Sequence, residues 1–250
     1  MNECATQRSN AWFLDRRGKI TASECYLLLA NHKEPMSDEE LAAYKAANPK
    51  SRLTTKEVPF SEGTYTYLNK KVAEYYMTDN SFLEYVEMSQ THNRATDWGT
   101  LWESDARKRY AEVTGYEVME VGFIPMKGYE RFFGGSPDGY VRYEDGIIEI
   151  KSPFNPEVHQ DYLLFETPTD LFDVKPQYYV QMQANMLVTD TSFGDFISFD
   201  PRTSRSRQLK VLRVPKDEEI CNLLMERVGL AVQYYRERMK RIDSAAMIIK

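Results

Sequence analysis

Cysteine is scarce in this chain, histidine equally so, and no run of apolar residues is long. The three cysteines, Cys4, Cys25 and Cys221, are widely spaced and form no C-x-x-C pair. That excludes a disulfide framework and the usual zinc or iron–sulfur spacings, and it fits a reducing cytoplasm. The three histidines, His32, His92 and His159, stand in no catalytic pattern and read as structural. No stretch reaches the roughly 18 uninterrupted apolar residues of a membrane span, and MNECATQRSN at the start lacks the apolar segment of a signal peptide. A soluble intracellular protein without a membrane partner is expected. Excess positive charge is missing too: the formal net charge is −6, which argues against a histone-like or tail-driven polyanion binder. Basic residues gather only locally, in DRRGK, RTSRSRQLKVLR and RERMKR, and such runs are usually solvated faces.

What is present suits one large domain over residues 1–250, of which 42% are hydrophobic. ITASECYLLLA (20–30) predicts a helix opened by Thr21 or Ser23, because a short hydroxyl accepts from the free amides of a first turn. Residues 31–60 are polar and punctuated by proline, with one short helix in SDEELAAYKAA, and read as an insertion off the core. Helical periodicity follows over 61–77 and more strongly over 95–115. There Asp97 is the expected cap, Trp98, Leu101, Trp102 and Tyr110 form one stripe, and Gly115 suits a left-handed stop. Strand-like runs come next in YEVMEVGFIPM, FFGGSPDGYVRY and GIIEIKSP. A helix over 175–190, a strand pair in SFGDFISFDP and RQLKVLRVP, and a closing helix over about 216–241 complete the chain. That order implies an α/β architecture, a small central mixed sheet flanked by helices.

Within SPDGYVRYEDGIIEIKSP (136–153), Glu149 and Lys151 interrupt an otherwise apolar strand, where unpaired charge is costly. A two-residue turn at Asp145-Gly146 would set Arg142 opposite Glu149 and Tyr140 opposite Lys151, with Asp138 on the same face. Alternation sends Ile148 and Ile150 to the core side and the charges to the opposite, accessible side. A three-residue loop would reverse that parity. Asp138 and Glu149 are hard oxygen donors, and the Ile150 carbonyl can add a third; magnesium is the expected ion. Lys151 would then orient a water or offset charge building on phosphorus, which is the chemistry of phosphodiester hydrolysis. Taken alone, an Asp…Glu-x-Lys pattern is more simply a salt bridge on a solvated sheet face.

The flanking segments favour the first of these. SPDG and EIKSPF resemble the PD-(D/E)XK nuclease core. DRRGKITASE, DWGTLWESDARKRY and YYVQMQANMLVT occur in the order found in the family of YqaJ-type viral recombinases and phage lambda exonuclease, so that the resemblance runs from about Trp12 to Arg213. It implies a restriction-endonuclease-like core with Asp138 and Glu149 as metal ligands and Lys151 assisting attack. It also implies that Glu103 is a further carboxylate near the metals, against the plainer reading of an i,i+4 pair with Arg107. Gln181 takes the place of the helix-borne glutamine that orients the water, with Gln183 and Asn185 as weaker neighbours. Arg16 takes the place of an arginine that receives a terminal 5′-phosphate, and a one-residue difference in the loop would pass that role to Arg17. Ser23, at the expected helix start, and Ser136 would add donors to the same anion.

The resemblance therefore implies a 5′→3′ exonuclease acting on double-stranded DNA ends, dependent on one or two magnesium ions with manganese as a substitute. It would serve a phage-type recombination system, leaving 3′ single-stranded tails for an annealing protein. A homotrimer, and the cytoplasm of a bacterial host if the chain is phage-encoded, are implied as well. Two alternatives use the same residues: a structure-specific or flap endonuclease, and a non-catalytic DNA-binding module gripping the backbone through its basic segments. The chain departs from the lambda member of the family in the longer polar insert at 31–60 and in Glu157, which stands where a basic residue would help to hold DNA.

Overall fold

A computed structural model describes residues 6–30, 32–89 and 94–246; Cys4 and His92 lie outside the described residues. The chain opens with α1 (Asn10–Arg16), whose Ser9 cap accepts from the Trp12 amide at 3.2 Å. The stretch read as a helix over 20–30 begins instead as a strand, β1 (Ile20–Thr21), and only Cys25–Leu28 coil, as a 3-10 turn. Tertiary pairing overrides local periodicity here: the Ile20 amide donates to the Phe132 carbonyl at 2.8 Å and the Ala22 amide to that of Gly134 at 2.9 Å. Neither Thr21 nor Ser23 caps a helix as a result.

A two-stranded sheet of β2 (His32–Pro35) and β3 (Thr55–Val58) brackets α2 (Asp38–Ala47), which Ser37 and Glu40 close with reciprocal capping bonds. Three helices follow, α3 (Glu62–Tyr76), α4 (Asp79–Ser89) and α5 (Arg94–Thr114). Asp97 lies inside α5 rather than at its cap, and Leu101 is 65% exposed, so the inward stripe runs through Trp102, Ala106 and Tyr110. Gly115, at φ +75°, ends the helix in the left-handed region.

The remaining elements are β4 (Val118–Met119), β5 (Ile124–Pro125), β6 (Phe133–Gly135), β7 (Gly139–Val141), β8 (Gly146–Lys151), α6 (Pro156–Leu163), α7 (Pro168–Val174), α8 (Pro176–Thr189), β9 (Phe193–Phe199), β10 (Leu209–Pro215) and α9 (Glu218–Ala246). Strands β1, β6 and β5 make a small sheet, and the main one has the order β10-β9-β8-β7-β4. Its β8 and β9 run parallel, a pairing that requires a long crossover, and α6 to α8 supply it. Residues Tyr110, Val141, Ile148, Ile150 and Ile197 pack between the sheet and α5; Ile147, Tyr162, Met182 and Phe196 pack on the other face beneath α6 and α8. A third cluster, with Ile20, Leu28, Leu68 and Val228, joins the 3-10 turn to α3 and α9. Among the described residues no helix is long and apolar enough to cross a membrane.

The hairpin that carries the acidic residues has no two-residue turn. Gly139 pairs with Ile148, Tyr140 with Ile147 and Val141 with Gly146, leaving Arg142, Tyr143, Glu144 and Asp145 as the loop, with Tyr143 in the left-handed region at φ +64°. Neighbouring strands draw the expected turn apart. The Arg142 amide donates to the Glu117 carbonyl at 2.7 Å, while the Asp145 carbonyl accepts from the Ser192 and Phe193 amides and commits Gly146 to β9. A Cβ on Gly146 would lie 2.2 Å from the Phe193 ring, so any larger residue there would have to displace that ring. The shift in register is even, so every side chain keeps its expected face while the partners change. One residue beyond the Gly139–Ile148 pair, Asp138 stands across from Glu149; Arg142 does not face Glu149, nor Tyr140 Lys151.

A second buried charge organises the far side of the sheet. Asp195 on β9 is 1% exposed and accepts from the Tyr110 hydroxyl at 2.6 Å and from Nε and Nη2 of Arg213 on β10, each at 2.9 Å. Asp195→Ala is expected to destabilise the protein by about 2–4 kcal/mol, less than for a fully buried pair because Arg213 keeps half its side chain in solvent. The urea midpoint measures this, and an unchanged midpoint would count against the network. His159 is fully buried between the Ser198 hydroxyl, at 2.7 Å, and the Arg207 carbonyl, at 2.8 Å, a structural role.

Candidate active site

The ends of β7 and β8 open into a cavity of about 700 Å³ whose walls are α1, α5 and α8. Asp138, Glu149, Ile150 and Lys151 line it. Strand β8 is central and covered on both faces, so Glu149 is only 1% exposed, not on the accessible face that simple alternation suggests. Its compensation is local. Lys151 Nζ lies 2.6 Å from Glu149 Oε1, and Asn185 Nδ2 on α8 donates to Oε2 at 3.4 Å. Asp138 is tied to the same strand twice: its amide donates to the Ile148 carbonyl at 3.1 Å, and its Oδ2 accepts from the Ile150 amide at 2.6 Å. The salt bridge of the plainer reading exists, but along one strand and inside a cavity wall.

Burial first, and then the charge of Glu149, pushes the Asp138 carboxyl well above the usual carboxylate range, with Lys151 opposing and Glu103 adding to the rise. Burial likewise raises Glu149 against the pull of Lys151. For Lys151, burial alone would lower the ammonium, but Glu149 and Asp138 outweigh it and raise its pKa. The donors are all oxygens, two crowded carboxylates and a strand carbonyl, and Asn185 Oδ1 is buried beside them without a partner. Such a set fits a hard divalent cation, which would relieve the repulsion between the carboxylates. Among the described residues no three histidine, cysteine, aspartate or glutamate side chains converge as a fuller shell.

Glu103 lines the cavity and also makes the ion pair of the plainer reading, accepting from Arg107 Nη2 at 3.0 Å and lying 3.1 Å from Arg8 Nη2. Arg107 further donates through Nε to the Asp138 carbonyl at 3.1 Å, so this pair braces the acidic turn. Gln181 faces the cavity from α8, whereas Gln183 is turned away and joins α8 to α9 by donating to the Pro215 carbonyl at 3.0 Å and accepting from the Asp217 amide at 2.8 Å. Arg16, Ser23 and Ser136 share the cavity as well. The Arg16 guanidinium lies 4.0 Å over the Trp12 ring, and the Trp12 indole donates to Ser136 Oγ at 3.1 Å. Burial lowers the Arg16 pKa, opposed by Glu24, Tyr67 and Glu74 behind it. Arg17 points elsewhere, donating to Asp79 at 2.6 Å and to the Met77 carbonyl at 3.1 Å. The anion-binding helix N-terminus expected beside Arg16 is not there, since Ser23 follows a strand.

Arg8, Trp12, Phe154, Lys175 and Tyr178 line the cavity without having been singled out for it. For α8 the signal was present: Tyr178, Gln181 and Asn185 recur at spacings of three and four and so share one helix stripe. Tyr178 presents its ring 4.5 Å from Lys151 Nζ. Arg8 had no such signal.

A mixed sheet with helices on both faces, carrying an aspartate at the end of one strand and glutamate-x-lysine on its neighbour, defines the PD-(D/E)XK nuclease class. The chain belongs to the YqaJ-like viral recombinase domain family, which it matches over residues 11–192. An alkaline exonuclease from Laribacter hongkongensis is similar over 97% of this chain and 100% of its own, at 25% identity and a TM-score of 0.69. Its complex with dAMP matches over the same shares at 24% and 0.68. A phage-related exonuclease from Haemophilus somnus 129PT shares the fold over 90% of this chain and 96% of its own, at 19% identity and a TM-score of 0.59. No match was found among curated proteins. The chain is a nuclease.

Proposed function

We propose that this nuclease is a magnesium-dependent 5′→3′ exonuclease of double-stranded DNA ends, leaving 3′ single-stranded tails for an annealing protein in a phage-type recombination system. One observation carries the reading: the acidic pair with its lysine and the Arg16–Trp12–Ser136 group line a single cavity. A scissile linkage at the first group then leaves a terminal phosphate within the cavity that holds the second. Asp138, Glu149 and the Ile150 carbonyl would hold the ion, which when bound supplies Lewis-acid charge for a phosphate oxygen and a more acidic water. Lys151, whose Nζ lies 2.6 Å from Glu149 Oε1, donates to the phosphate and offsets charge building on phosphorus. Gln181 orients the attacking water, and Glu103 fixes Arg107 and through it the Asp138 backbone. Arg16, its guanidinium carbon 4.0 Å over the Trp12 ring, donates to the 5′-phosphate, with Ser136 and Ser23 as further donors. The similar Laribacter protein, whose complex contains a mononucleotide, supports release of single nucleotides. A homotrimer is proposed on the family resemblance.

End-labelled linear duplexes with and without a 5′-phosphate, compared with closed circular duplex in magnesium and in chelator, test the reading. Loss of label from 5′ ends in magnesium, with the circles intact, is expected. Nicked circles would favour an endonuclease with the same site, and binding that yields no product in magnesium or in chelator would favour a non-catalytic module. Arg16→Ala is expected to reduce the advantage of phosphorylated over hydroxyl ends by roughly 10- to 100-fold, the scale of a charged hydrogen-bonded contact. Equal slowing on both ends would remove Arg16 from that contact.

A further inference from the structure

We propose that Phe154 is a base-stacking platform at the mouth of the cavity, positioned to receive a nucleobase beside the cleaved linkage. This deepens the nuclease reading above and rests on it. Phe154 follows Lys151 by three residues, lines the same cavity and remains 36% exposed. Its backbone is pinned from the sheet side: Arg202 donates through Nη1 to the Phe154 carbonyl at 2.9 Å and through Nη2 to that of Pro153 at 3.3 Å. Arg202 is itself gripped by the fully buried Asp200, with Nε to Oδ1 and Nη2 to Oδ2 both at 2.8 Å.

The Arg202 guanidinium also lies 4.4 Å over the Trp98 ring, and Phe154 meets that ring edge-on, with centroids 6.1 Å apart at 81°. Trp98 leans in turn on Trp102 at 5.5 Å. The ring of Phe154 is therefore held by its backbone and by its perpendicular contact with Trp98, so stacking on it sacrifices little conformational freedom. Arg16, Lys151 and Lys175 line the cavity and would meet phosphate groups entering it. Phe154 offers a π face with no donor or acceptor, which suits any base equally, as degradation of unselected sequence demands. Arg202 is the positioning residue behind it.

The test uses 5′-phosphorylated duplexes with 2-aminopurine at the first or second nucleotide, bound in chelator so that no cleavage intervenes. Wild-type protein is expected to quench the fluorescence at one of these positions. Phe154→Ala should abolish the quenching and weaken binding roughly 10- to 100-fold, the range seen for one base on one aromatic ring, and Phe154→Trp should restore both. On duplexes abasic at that position, wild type and Phe154→Ala should bind alike. Equal quenching and affinity of wild type and Phe154→Ala would overturn the proposal, and so would an equal loss on the abasic end, which marks a general lesion. Wild-type protein that binds no duplex end at all would overturn the nuclease reading along with it.

Discussion

Replacing Glu149 with alanine is expected to lower turnover by about 10³-fold or more, the scale on which nucleases and related enzymes depend on a charge-stabilising group, with the fold and DNA binding retained. The carboxylate is one of the three oxygen groups proposed to hold the divalent ion, with Asp138 and the Ile150 carbonyl, so its loss weakens that hold. It also releases Lys151 from its 2.6 Å partner. The strand itself survives, since Ile147, Ile148 and Ile150 remain buried against both helical layers. Water from the adjoining cavity can take up the vacated volume, which avoids the cost of a sealed void. Because burial raises the Glu149 carboxyl above its ordinary value, the fold holds that charge at a cost, and removing it is not expected to lower the melting temperature by more than a few degrees. Single-turnover assays, a thermal melt and a binding titration on the same preparation separate these effects. Turnover preserved in the variant would remove Glu149 from the mechanism.

Lys151→Met is expected to slow the chemical step by roughly 10²- to 10⁴-fold while changing KM much less, as when a group acts mainly in the transition state. Methionine keeps the length of the chain and its packing beside Tyr178, so the substitution deletes the charge and its donors with little else. Lys151→Arg is not expected to rescue the rate. A guanidinium is broader than an ammonium, and the space between Glu149 and the Tyr178 ring is set for the smaller group. A rise in KM with kcat unchanged would assign Lys151 to ground-state binding instead.

The long helices were legible because each shows its own period, and α3, α5, α8 and α9 lie close to where their periods place them. Glu149 and Lys151 share a face with Asp138 as expected, since side-chain parity depends only on whether a register shift is odd or even. Partner identity was not legible. Asp145-Gly146 carries a strong local turn signal, yet the amides that claim the Asp145 carbonyl belong to residues 192 and 193, which no local pattern reveals. The same cause hid β1, two residues long and paired with a strand more than a hundred positions away. The choice between Arg16 and Arg17 was open in the sequence for want of Asp79, which turns Arg17 outward from a distance of 62 residues. Helices α6 and α7 are short, eight and seven residues, which leaves too few turns for a period to show, and each begins at a proline.

Loop residues Arg142 to Asp145 are all exposed, Tyr143 to 83%, while both strand ends they join are anchored elsewhere. Additional residues at the tip would therefore bulge into solvent instead of sliding one strand past the other. A fluorophore tag or a fused module grafted at that tip would ride on the molecule without disturbing the opposed acids at the other end of the hairpin.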